Sequence, residues 1–212
     1  MNPHPPLIVA HRYAYVTQRG YYPDDLYKNN QDAFRITPSV GGDSSTFFAG
    51  VFDGHGSDGD ACSAFVRDAI ETRLKSAMEQ TPLDVEAAHT RAFVGCNMNM
   101  HEQEFDDSMS GTTAITAYFR EREVVIANIG DSRAVLGEQK GKRVMAHSLS
   151  VDQTPYRADE RARVQQAGAV VMSCDQLEGI EPYHENWCAS YIYIYIYIYK
   201  HIYIYDAHQF SW

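Results

Sequence analysis

The stretch from Thr46 to Gly56, "TFFAGVFDGHG", constrains the fold most. It is apolar almost without a break up to Asp53, the pattern of a strand buried on both faces rather than one alternating between core and water. The run stops at a carboxylate bracketed by glycines. A second acid, Asp32, closes the polar, turn-rich segment "TQRGYYPDDLYKNNQD" where Ala33, Phe34 and Ile36 begin an apolar alternation, so it sits at a loop-to-strand junction. Carboxylates at strand ends backed by apolar sequence are costly unless a cation or hydrogen-bond donors compensate them.

From Ser57 or Asp58, both suited to N-capping, Cys62, Val66, Ile70, Leu74 and Met78 recur every fourth residue and predict one helix face, with Cys62 most simply a packing residue. "TPLD" predicts a second helix with Thr81 as N-cap, Pro82 in the first turn and Asp84 closing a capping box; Ala88, Ala92, Cys96 and Met100 mark its inner face. After "FDDSMSG", the runs "TTAITAYF", "EVVIANIG", "RAVLG" and "RVMAHSL" predict an antiparallel meander with a turn over 137–141. "RADERARVQQAG" predicts a helix ended by Gly168 at C′, followed by a strand "AVVM". These elements do not alternate as βαβ units do, so the expected class is a layered α+β fold.

A chain of 212 residues suits one core, hence one domain plus ends. A net charge of -10 argues against a sequence-independent grip on nucleic acid, which needs clustered Lys and Arg. Cys62, Cys96, Cys174 and Cys188 form no CxxC pair, which points away from zinc knuckles and redox motifs and towards a reducing compartment. The amino terminus lacks the basic start and long apolar run of a secretory signal, and no stretch reaches the roughly 18 apolar residues of a membrane helix. The expectation is an intracellular chain, cytoplasmic or nuclear, without a membrane partner.

Oxygen ligands without nearby Cys or paired His favour magnesium or manganese at Asp53 and Asp32. Gly54 and Gly56 let the backbone approach a ligand closely, so the Gly54 carbonyl is itself a candidate ligand. The loop is not an EF-hand: counting from Asp53, Asp58 stands where Gly is required and Ala64 where Glu is required. On spacing alone, a metal loop and a capped turn both remain open, and His55 by itself reads more simply as an ordinary solvent-facing loop histidine.

"KNNQDAF", "VFDGHG", "SGTTA", "ANIGDSRAVL" and "LSVDQTPYRADERARVQQAGAVV" follow in an order and spacing that resemble the metal-dependent type 2C protein serine/threonine phosphatases, the PPM family, from about Tyr13 to Trp187. "RGYYPDDLYKNNQD" and "DQLEGIEP" further resemble a subgroup fused to cyclic-nucleotide-binding and kinase-like domains. The resemblance implies a partial four-layer α/β/β/α sandwich and two Mg2+ or Mn2+ ions, with phosphoproteins as substrates. Asp53 would bridge the ions, Gly54 would offer its carbonyl, Asp32 would orient the attacking water and His55 would protonate the departing Ser or Thr oxygen. Asp131, in "GDSR", matches a position that helps hold a third metal, although an Asx-type turn would also place an Asp there. "SGTTA" matches a motif beside the site, although Ser110, Thr112 and Thr113 would equally serve to shape a turn and satisfy buried backbone.

Two departures from the family pattern bear on function. Tyr27 stands where the family commonly has an Arg that grips the substrate phosphate, leaving Lys28 and Arg19 as candidate phosphate contacts; Gln31 stands where some relatives carry Glu. The family's further Asp ligands, in a Ser-Asp-Gly loop and a late Asp-Asn pair, do not occur among the residues after Trp187. There the sequence becomes "YIYIYIYIYKHIYIY", the peptide encoded by alternating T and A, and the expectation is that translation has run into a simple repeat. The expected layout is an extension over 1–12, a partial phosphatase domain over 13–188 and a Tyr/Ile tail over 189–212. The alternative for the tail is a genuine strand, but both its faces are apolar, which makes it and the core surface left bare by missing strands hazards for self-association. Two functional expectations stand together: a metal-dependent phosphatase, and a catalytically silent phosphatase-like chain with at most a binding role.

Overall fold

The structure is a computed structural model that describes residues 12–82, 84–121, 123–173, 176, 179–180 and 182, together with the backbone of 192–194 and 203–206. The expected boundary at 188 lies outside the described residues. The chain divides into two compact units, Met1–Val151 with Ile202–Trp212, and Asp152–His201.

The first unit is built on an antiparallel sheet in the order β1 (Asp32–Pro38), β2 (Thr46–His55), β4 (Ala114–Arg120), β5 (Glu123–Ile129) and β10 (Tyr203–Asp206), with the short β3 (Gly111–Thr112) paired to the end of β2. Two helices, α1 (Gly59–Gln80) and α2 (Val85–Met100), pack on one face. The core between them gathers Phe48 and Phe52 of β2, Ala114 and Tyr118 of β4, Cys62, Val66, Ile70 and Leu74 of α1, and Ala88, Ala92, Cys96 and Met100 of α2. The fourfold periodicity of α1 therefore marks its buried stripe, except that Ala77 takes the last fully buried place and Met78 is half-buried. Burial pushes the Cys62 thiol up to about 11 and the Cys96 thiol to about 12, as expected of packing residues rather than reactive ones.

Four local expectations need correction. Strand β2 is covered on both faces only at its start: beyond Phe48 its even positions stay buried, while Val51 on the opposite face is 49% exposed. That face is covered at Phe47 and Phe34 by Tyr13 and Tyr15, whose rings lie 5.9 and 4.3 Å away respectively. Thr81 is not the N-cap of α2; α1 runs far enough to use it as C-cap, with the Thr81 hydroxyl and N–H both donating to the Ala77 carbonyl, and Asp84 caps α2 by accepting the Ala87 N–H at 2.8 Å. Asp58 does occupy the N-cap position of α1, but its carboxylate accepts the Asp106 N–H at 3.1 Å instead of closing its own helix. The meander is interrupted: β6 (Val135–Lys140) and β7 (Arg143–Ser148) form a separate hairpin turning at Gly141-Lys142, so 137–140 are strand and not turn.

In the second unit, α3 (Ala158–Gln166) ends as its sequence predicts, with the Gly168 and Ala169 N–H groups donating to the carbonyls of Gln165 and Val164. Val164, Ala169 and Val171 form a small apolar cluster, and β8 (Val171–Ser173) pairs with β9 (Ile192–Ile194). Two pieces of the Tyr/Ile tail, β9 and β10, are thus paired strands. No helix among the described residues is long and apolar enough to cross a membrane.

Candidate functional site

Antiparallel pairing of β1 with β2 sets Asp32 directly opposite Asp53. Like charges in that position repel. Asp53 keeps an exposed side, yet its carboxyl is held above the usual carboxylate range, first by loss of solvent, then by the negative charges of Asp32 and Asp131; His55 acts in the opposite direction, and a hydrogen bond to the Asp32 carboxyl adds to the rise. Three further expected site residues, Asp32, His55 and Asp131, are therefore close enough to influence Asp53.

The backbone that presents these groups is fixed by neighbours distant in sequence. The Asp53 N–H donates to Thr113 Oγ1 at 3.0 Å, and the Thr113 N–H returns to the Asp53 carbonyl at 2.9 Å. Thr113 Oγ1 also shares a hydrogen bond with Ser132 Oγ at 2.6 Å. Ser110 Oγ accepts the Asp58 N–H at 3.0 Å at the start of α1. In "SGTTA", Ser110 and Thr113 thus satisfy backbone around the site, which bears out the structural of the two readings. Gln31 acts as a clasp: its carbonyl accepts from the Gly54 N–H at 3.1 Å and from Ser63 Oγ at 2.6 Å, while its side-chain amide donates to the Gly56 carbonyl at 2.6 Å. Sequence reasoning missed Gln31, Ser63 and Ser132 in these roles; adjacency of Gln31 to Asp32 and of Ser132 to Asp131 was the only signal.

The glycines of "DGHG" answer to crowding. A Cβ on Gly54 would lie 2.1 Å from the Gly59 carbonyl oxygen and 2.5 Å from that of Gln31, and Gly56 has φ +87 with the Met109 carbonyl 2.3 Å from where its Cβ would be. His55 packs its ring against Gly111, where an added Cβ would come 3.0 Å from Nε2.

Beside this loop lies a cavity of about 430 Å³, walled by Tyr27, Lys28 and Asn29 on one side and by Gln31, Gly56 and Ser57 on the other. Lys28 stands at its wall with its ammonium 4.5 Å from the Tyr22 ring centroid; Arg19 does not line it and lies 5.4 Å from the Tyr21 ring centroid. The donor chemistry at Asp32, Asp53, Asp131 and the Gly54 carbonyl fits a hard divalent cation, being oxygen throughout, and two carboxylates set opposite each other are a pair whose repulsion a cation would compensate. Among the described residues, however, no group of three or more His, Cys, Asp or Glu side chains is arranged to hold a metal ion.

Residues 25–180 match the family described as Protein phosphatase 2C, and the chain belongs to that family. Its curated relatives are named protein phosphatases, and the family is generally dependent on magnesium or manganese. Probable protein phosphatase 2C 35 of Arabidopsis thaliana is 46% identical over 177 residues, covering 82% of this chain and 50% of the relative; Probable protein phosphatase 2C 64 of Oryza sativa subsp. japonica is 36% identical, covering 70% and 37%. The chain thus spans half or less of the length of these relatives. The solved serine-threonine phosphatase 2C from Toxoplasma gondii superposes with a TM-score of 0.60 at 23% identity, over 72% of this chain and 54% of that one. A C. elegans sex determining protein superposes with a TM-score of 0.57 at 20% identity, over 68% and 36%. These likenesses establish the fold, a partial sandwich of the PPM type.

Proposed function

We propose that this chain carries the amino-terminal part of a metal-dependent protein serine/threonine phosphatase site, acting on phosphoserine and phosphothreonine in proteins. The observation that supports it is the meeting of Asp32 and Asp53 across two strand ends, within reach of the Asp131 charge and two residues from the glycine-bracketed His55. Asp53, Asp32 and the Gly54 carbonyl are the groups that would hold the two Mg2+ or Mn2+ ions, and Asp131 is the group that would help hold a third. Bound there, the ions would supply charge compensation for the phosphoryl oxygens and activation of the attacking water. Asp32 orients that water, His55 gives its proton to the leaving Ser or Thr oxygen, and Lys28 offers a positive charge to the phosphate from the cavity wall. One observation favours a second reading, a catalytically silent phosphatase-like chain: the described residues form no ready cluster of three metal-binding side chains.

Manganese-dependent hydrolysis of a phosphothreonine peptide, with Asp53→Asn as control, separates the two. The first reading expects turnover that falls on the order of 100-fold or more in the control, by extension from losses measured for supporting residues of metal sites. No turnover in either chain favours the silent reading, and equal turnover in both removes Asp53 from the working site.

A further inference from the structure

The cavity beside His55 contains one cation among its lining residues, Lys28, and one carboxylate, Asp25. A lysine ammonium rides on a flexible stem whose rotamer freedom is lost when it must hold a ligand. Here it is already seated over the Tyr22 ring, 4.5 Å from the centroid, where the face of the π-system attracts it. The turn that presents both residues is held by its own bonds: the Asp25 N–H donates to the Tyr22 carbonyl at 3.2 Å, and the Asp25 carboxylate accepts the Tyr27 N–H at 3.1 Å. Tyr27, 82% exposed, brings no charge to the wall it shares with Lys28. Because Asp25 repels an incoming anion, affinity for phosphate depends on where the Lys28 ammonium stands.

We propose that Tyr22 is a positioning residue that preorganises the Lys28 ammonium as a single-charge anchor for the phosphoryl group of the substrate. This rests on the phosphatase reading of the site. A point charge fixed on a ring replaces the planar two-pronged grip of a guanidinium, so the anchor selects for charge and not for phosphate geometry. Arg19, seated on Tyr21 and absent from the cavity wall, takes no part in it.

The test is calorimetric binding, with Mn2+ present, of a peptide bearing the non-hydrolysable phosphonate analogue of phosphothreonine, to the full chain and to Tyr22→Phe, Tyr22→Leu, Lys28→Gln and the Tyr22→Leu/Lys28→Gln double variant. Tyr22→Phe keeps an aromatic face and binds as the parent does. Tyr22→Leu weakens binding about 3- to 10-fold, the range expected for a partly exposed cation–π contact. Lys28→Gln weakens it at least as much, and the double variant is no worse than Lys28→Gln alone, because Tyr22 acts only through Lys28. In turnover of phosphothreonine peptide, Tyr22→Leu raises KM and leaves kcat within about twofold. Unchanged binding in Tyr22→Leu, additive losses in the double variant, or no phosphonate-dependent binding by the parent overturns the anchor. Phosphonate binding that follows this pattern in a chain without turnover supports the anchor and counts only against the catalytic reading.

Discussion

Removing the charge at Asp53 relieves the repulsion it feels from Asp32 and Asp131. We expect Asp53→Asn to melt higher than the parent when metal is absent, by a few degrees, given roughly 2–4 °C per kcal/mol for a chain of this size. Addition of Mn2+ should raise the melting temperature of the parent and leave the variant nearly unmoved; equal shifts in both would remove Asp53 from the metal site. A second residue-scale effect comes from His89, which is fully buried in α2, donates Nδ1–H to the Val85 carbonyl at 2.7 Å and has Nε2 without a hydrogen-bond partner among the described residues. Burial pushes its pKa down to about 4, from an ordinary value near 6.5. The unfolded chain therefore binds the proton first: stability is unaffected above the ordinary value and falls as pH drops from there towards about 4, at a rate of at most about 1.4 kcal/mol per pH unit. Urea midpoints at pH 7.5 and pH 5 should show this loss in the parent and a smaller one in His89→Leu. Asp32 and Asp53 were legible because a carboxylate closing an apolar run is conspicuous in one dimension. Gln31, Thr113 and Ser132 were not, because their hydrogen bonds join positions far apart in the chain.

Among the elements, the helices were read well where periodicity decided and poorly where a cap had two candidates. Thr81 and Asp84 both suit an N-cap, and only the length of α1 assigns the first to its own C-terminus. Asp84→Ala should cost about 1 kcal/mol, as typical of a lost N-cap, in equilibrium denaturation, and a cost confined to Thr81→Ala would reverse the assignment. At the junction of β2 with β4, Thr113→Val strips the acceptor from the Asp53 N–H while keeping the shape of the side chain. A loss of about 1–3 kcal/mol is expected for the unsatisfied group, together with lower activity if the Asp53 backbone position matters to chemistry. The meander was misread at its middle because a Gly-rich run between two β-prone runs suggests a turn, whereas the pairing of Lys140 with Arg143 leaves room for just two turn residues.

For the molecule as a whole, the layered α+β class followed from the order of elements, but the fate of the tail did not follow from its composition. Residues Tyr203–Asp206 extend the main sheet at the β5 edge, antiparallel to Val125–Asn128. A Tyr/Ile repeat fits such an edge in several registers two residues apart, since each slip preserves which side chains face which side. The tail of a second copy can compete for the same place, so the chain should associate in a concentration-dependent way by light scattering. Deletion of 189–212 should abolish that association; if it persists, the uncovered faces of the sheet are responsible instead.

The close approach of Gly54 to Gly59 and of Gly56 to Met109 has a consequence for reading any related sequence. A chain that had given up catalysis would still lose its fold if it gained side chains at 54 or 56, so selection for folding alone preserves both glycines. Their presence is evidence of shared architecture and has little diagnostic value for activity. The residues freer to drift once chemistry is abandoned are Asp53 and His55, which stand at exposed positions of β2, and it is those two letters of "DGHG" that distinguish a working site from an inherited outline.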